Sequence, residues 1–152
     1  MPYECKVVEK EAQSVLSIRT RSAVKDLPEV LGKAYGKIFN YITQLHEEPS
    51  GPPFVAYYNM DMDDLDIEIG FPVNIPLPPS QDIKCNEILA GDYLETMYTG
   101  AYNNIEAAYN DLMKYMDDNN LQWDGVSYEF YLNDPAETPP EELQTDILIS
   151  LK

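Results

Sequence analysis

The chain has 152 residues and a formal net charge of −17, from 10 Lys and Arg against 27 Asp and Glu. That length suits one domain or two small fused modules, and the charge argues against nucleic-acid binding or an anionic membrane, because no basic stripe exists to displace counterions. No stretch of 18 consecutive apolar residues is present and the start, MPYECKVVEKEAQ, lacks the apolar core of a signal peptide. Cys5 and Cys85 form no CxxC and no disulfide framework, which points to a reducing cytoplasm.

In chain order, QSVLSIRTR (13–21) alternates as a strand does. A helix comes next, with Leu27, Leu31, Ala34, Ile38, Ile42 and Leu45 on one apolar face, Asp26 as N-cap and Glu29 three residues on. EEPSGPP ends that helix. FVAYYN (54–59) and LDIEIGFPV (65–73) form a strand pair around the acidic turn MDMDD. That turn matches a calcium loop only in its acidity, since it lacks the glycine and the distant glutamate of an EF-hand.

The second half repeats the order. GDYLETMYTG (91–100) reads as a strand, and NNIEAAYNDLMKYMDD as a helix with Asn103 and Glu106 repeating the capping pattern. VSYEFYLNDP and ELQTDILISL close the unit as strands. At a constant offset of 74, residues 34–59 share six identities with 108–133 over 26 positions, among them Tyr57 with Tyr131 and Asn59 with Asn133. The expected fold is therefore α+β, with a duplicated β-α-β-β unit of antiparallel strands. Repeat 1 covers about residues 1–75 and repeat 2 about 82–152. The proline-rich stretch 72–82 is an extended connector.

Strand 128–132 is the most unusual segment. Tyr128, Phe130 and Leu132 share one face; Glu129 and Tyr131 share the other. Val55 and Tyr57 hold the equivalent positions in repeat 1. A carboxylate among aromatic rings suits a lipophilic cation, because the rings offer apolar area and a negative π face while the carboxylate supplies charge. Glu129, Tyr131, Tyr57 and Val55 are the candidate ligand-binding residues. Trp123, beside the turn signal Asp124-Gly125, either walls one end of that cleft or anchors the end of the helix. The helical tyrosines Tyr35, Tyr41, Tyr109 and Tyr115 read as core and core-edge residues. His46 is the only histidine and sits at a helix end, without partners for a catalytic triad. No metal ligand set and no cofactor motif is evident.

YEFYLNDPAETPPEELQTDI resembles the closing motif of the GyrI-like family, which includes effector-binding domains of AraC- and MerR-type multidrug-sensing regulators. The resemblance extends through GDYLETMYTGAYNNIEAAYNDLMKYM and AYYNMDMDDLDIEIGFPV, and so covers nearly the whole chain. It implies tandem, pseudo-symmetric β-α-β-β repeats of SHS2-like type, with a ligand cleft between the halves and Glu129 as the key acidic residue of a Glu-x-Tyr segment. With the family module beginning near residue 3 and no helix-turn-helix before it, a stand-alone member is expected. The implied function is capture of lipophilic, often cationic aromatic compounds. Single-domain members of the family imply two alternatives: a hydrolase of cyclopropane-bearing toxins using Glu129, with Tyr131 or Tyr57 as aromatic partner, or a protein that partners gyrase or a regulator.

Overall fold

A computed structural model describes residues 4–134 and 136–152, with the side chain of Asn103 outside the description. The capping role expected of Asn103 therefore lies outside the described residues. The chain is mixed α+β. Its strands are β1 (Cys5–Lys10), β2 (Gln13–Ser22), β3 (Phe54–Tyr57), β4 (Leu65–Pro72), β5 (Lys84–Ile88), β6 (Gly91–Thr99), β7 (Trp123–Tyr131) and β8 (Gln144–Leu151). The helices are α1 (Leu27–Gln44) and α2 (Glu106–Asp118). Among the described residues no helix is long and apolar enough to cross a membrane.

Contacts divide the chain into two compact units. One holds residues 11–90; the other joins the segment ending at Lys10 to residues 91–152. In the first, antiparallel strands take the order β3-β4-β2-β5, and α1 connects β2 to β3. In the second the order is β1-β6-β8-β7, and α2 connects β6 to β7.

The helices form where apolar residues recur at helical spacing. Ala34, Ile38 and Ile42 of α1 are buried, as are Ala108, Leu112 and Met116 of α2. The α2 stripe packs with Leu94 and Tyr98 of β6 and Ile147 and Ile149 of β8. At the start of α1 the N-cap is Asp26, but its side chain makes no capping hydrogen bond. A 3-10 turn over Val24–Asp26 runs straight into the helix and places Asp26 in helical backbone (φ −96°, ψ −4°), so the extended geometry that aims a cap side chain at the first amides is lost.

Two strands that the sequence pattern does not announce, β1 and β5, each lie at one end of the strand order of their unit. Both are short and mix charged or polar residues with Cys and aliphatic ones out of step, so neither shows a clear apolar alternation. The Asp124-Gly125 turn signal produces an irregularity inside β7 instead of a turn: pairing with β8 shifts register between Trp123 and Ser127, and Gly125 takes φ +104°.

One glycine sets the path of the chain from β6 toward α2. Gly100, just after β6, has φ +147°, and a Cβ there would lie 2.8 Å from the Tyr98 hydroxyl oxygen. The Tyr98 hydroxyl donates to the Ala101 carbonyl at 2.5 Å, and the Gly100 amide donates to the Leu143 carbonyl. This tight corner delivers Tyr102 to the next turn. Gly100→Ala should destabilise the protein by about 1–3 kcal/mol, the usual scale of such backbone strain, seen as a lower urea midpoint with an unchanged slope.

Candidate functional site

Side-chain alternation decides which residues of the second unit face α2. Directly paired residues share a face, and the register pairs Ser127 with Ile149, Glu129 with Ile147 and Tyr131 with Thr145. Ile147 and Ile149 belong to the core cluster under α2. Glu129 therefore points toward the helix, into the layer where a charge is least solvated. It is 8% exposed.

The carboxylate is held by tyrosines. Tyr109, on α2, donates its hydroxyl to Glu129 Oε2 at 2.5 Å. Tyr131, two residues along β7, donates to Oε1 at 2.8 Å. Tyr102 packs edge-on against the Tyr131 ring, with centroids 5.5 Å apart. Among the described residues no Lys, Arg or His forms an ion pair with Glu129. Burial pushes the Glu129 carboxyl above the usual carboxylate range, and the two tyrosine hydrogen bonds pull it part of the way back. Burial also raises the Tyr102 phenol, helped by the negative charges of Glu129 and Asp134.

The structure brings Glu129 and Tyr131 together, as their shared strand face requires. It places Tyr109 at the core edge, as expected, and adds a contact the sequence did not suggest: this half-buried ring is a direct partner of the carboxylate. The repeat offset held the clue, since it pairs Tyr35 with Tyr109 and Val55 with Glu129. In the other unit Tyr35 donates to the Phe54 carbonyl and Val55 is fully buried. The tyrosine is present in both halves, and only the second half sets a carboxylate before it. Val55 and Tyr57 lie on β3, paired with Ile69 and Ile67 of β4. Trp123 begins β7, donates its indole N–H to the Val126 carbonyl at 2.9 Å, and packs against the core under α2.

A second buried carboxylate has no signature in the sequence. Glu68 of β4 accepts hydrogen bonds from Ser17 (2.5 Å), Tyr58 (2.5 Å) and Asn86 (2.9 Å), and Arg19 stacks on the Tyr58 ring at 3.7 Å. Its three donors come from three different strands or strand ends, so no local pattern announces them. With this full set of donors, Glu68 ties strands together, whereas the side-chain donors to Glu129 among the described residues are two neutral phenols.

Residues 3–152 match the GyrI-like small molecule binding domain. The chain belongs to this family. No curated protein matches it at a significant level. Among solved structures, the EcmrR chain in a cryo-EM DNA complex is 18% identical with a TM-score of 0.87; this chain is covered in full and spans 58% of the EcmrR chain. The EcmrR C-terminal domain alone is 17% identical, with a TM-score of 0.83 and coverage of 100% and 99%. A hydrolase from Listeria innocua is 12% identical, with a TM-score of 0.71 and coverage of 99% and 93%. SAV2435 bound to tetraphenylphosphonium is 12% identical, with a TM-score of 0.68 and coverage of 100% and 94%. At these identities the likeness is one of fold.

The opposite face of the same strands carries a different electrostatic feature. Asp146 of β8 lies beside Glu95 of β6, and Lys6 and Lys10 of β1 each approach Glu95 to 3.9 Å. Burial first, and the neighbouring Glu95 carboxyl second, push Asp146 up to about 7, against the pull of Lys10 and Lys6. A carboxyl whose folded pKa is raised stabilises the fold fully below its unfolded value near ~3.9. That contribution is lost as pH rises through about 7. Asp146→Asn should therefore flatten the decline in thermal stability between pH 5 and 8.5, measured by Tm at fixed ionic strength.

Proposed function

We propose that this GyrI-like domain captures lipophilic, cationic aromatic small molecules at a tyrosine-lined site centred on Glu129. The observation that carries this reading is the Glu129 carboxylate, buried beneath α2 with phenol donors and, among the described residues, no cationic side chain paired to it. A protein charge buried for stability is normally paired or fully hydrogen-bonded. Here a ligand cation is the missing partner. Tyr102, Tyr109 and Tyr131 offer ring faces and edges to its aromatic groups, and the phenols can turn from donating to the carboxylate to other partners as the cation takes their place.

We read the sequence repeat as a pseudo-symmetric pair of SHS2-like repeats, in which Val55 and Tyr57 hold in the first half the positions that Glu129 and Tyr131 hold in the second. Trp123 pairs with Leu151 and Glu129 with Ile147, four residues apart on β8 and so roughly 13 Å along the ladder, so only a ligand of about that reach would meet both. Tetraphenylphosphonium, the compound bound to SAV2435, is a suitable first probe. A partner such as gyrase or a regulator would be a second layer on this binding activity, favoured at present only by the acidic charge.

Wild-type protein should bind tetraphenylphosphonium in isothermal titration, and Glu129→Gln should weaken it by about 1–3 kcal/mol, the scale of a charge-assisted contact. Binding of a neutral planar aromatic should change far less. Because the Glu129 carboxyl is raised, the cation should bind more tightly as pH rises through its folded pKa, and Glu129→Gln should lose that dependence. Equal losses for charged and neutral ligands would remove Glu129 as the source of charge recognition. The hydrolase alternative gives a separate signal: repeated turnover of a cyclopropane-bearing electrophile, abolished in Glu129→Gln, would replace the binder reading. General-base catalysis of ~10²–10⁴-fold makes that loss easy to detect.

A further inference from the structure

Thr145 is fully buried, and its hydroxyl has no hydrogen-bond partner among the described residues. Its position links it to the Glu129 site. On β8 it pairs directly with Tyr131 of β7 on one side and Tyr98 of β6 on the other. It therefore shares the face that carries Glu129 and Tyr131. Glu129 is its diagonal cross-strand neighbour, about 7 Å away between Cβ atoms.

A buried hydroxyl without a partner lowers stability, and valine fills the same volume with the same preference for strands. Thr96, buried on the same face of β6, differs in this respect: its hydroxyl donates to the Glu4 carbonyl at 2.7 Å. Tyr98, beside Thr145, directs its own hydroxyl to Ala101, and Tyr131 directs its hydroxyl to Glu129. Both flanking phenols are thus turned elsewhere, leaving the Thr145 O–H available to donate.

We propose that Thr145 is a second ligand-contacting residue, whose hydroxyl donates to a neutral acceptor carried next to the ligand's cationic centre. The proposal rests on Glu129 as the cation site and narrows the ligand class. The preferred compound is an aromatic cation with a carbonyl or ether oxygen a few bonds from the charge, so that one small molecule spans both residues. A cation without an acceptor would bind through charge and ring contacts alone and would leave the Thr145 donor unsatisfied.

The test uses two matched probes, phenacyltrimethylammonium and phenethyltrimethylammonium, which differ by a carbonyl oxygen. Wild-type protein should bind the phenacyl ion more tightly by roughly 3- to 10-fold, the range of one neutral hydrogen bond. Thr145→Val should erase that preference, leave the phenethyl ion's affinity unchanged, and hold or raise Tm. Thr145→Ser keeps the hydroxyl and should keep the preference. Glu129→Gln should weaken both ions alike. A carbonyl preference absent from wild type, or retained in Thr145→Val, would overturn the Thr145 proposal while the Glu129 effect still stood. A marked fall in Tm for Thr145→Val would also overturn it, by showing that the hydroxyl serves the fold. Failure of wild type to bind either ion, or indifference of both to Glu129→Gln, would remove the cation site and Thr145's role with it.

Discussion

The burial of Glu129 against α2 is the constraint on which the site depends. A carboxylate in this layer is costly to ionise, and the chain answers with two phenols and, among the described residues, no paired cation. Each phenol comes from an element whose place is fixed by other forces. Tyr131 is held by the β7–β8 pairing, and Tyr109 by the apolar stripe that seats α2 on Ile147 and Ile149. Removing the stripe would release the phenol; changing the strand register by one residue would turn Glu129 to the opposite face.

The two faces of this unit divide the work. Toward α2, strand residues are apolar except for a few polar groups, and Glu129 and Thr145 are among them. Away from α2, Asp146 and Glu95 sit together with Lys6 and Lys10 within reach. Both faces contain a carboxyl raised by burial, but their surroundings differ in kind. Asp146 shares its environment with a like charge and two lysines, a local arrangement that adjusts stability with pH. Glu129 faces neutral aromatic donors, the arrangement from which the binding proposal starts.

The central elements were legible in the sequence because their apolar periodicities are strong: α1, α2 and the strands beginning at 13, 54, 65 and 91 fall within a residue or a few of their expected bounds. Strands β1 and β5 were not, because their mixed residues carry no clear apolar period and their partners are distant in sequence. The same distinction holds at the site. Glu129 and Tyr131 are two residues apart on one strand, so alternation alone joins them. Tyr109 and Thr145 reach them through helix docking and cross-strand register, and those depend on which strands become neighbours. Glu68 is the extreme case, with donors at positions 17, 58 and 86.

These sources of placement also assign different mechanical roles. Glu129 and Thr145 stand on adjacent paired strands, so the distance between them is set by backbone hydrogen bonds on both sides of β8. Tyr109 and Tyr102 come from a helix and the short turn before it, which attach to the strands through side-chain packing. Packing contacts can yield to a ligand at lower cost than a strand ladder, whose exposed amides and carbonyls would need new partners. Glu129 and Thr145 therefore stand on the rigid floor, and Tyr109 and Tyr102 on the elements better able to adjust. In the proposed binder, such a division would let one domain accept cations of differing aromatic shape while keeping a fixed demand for charge.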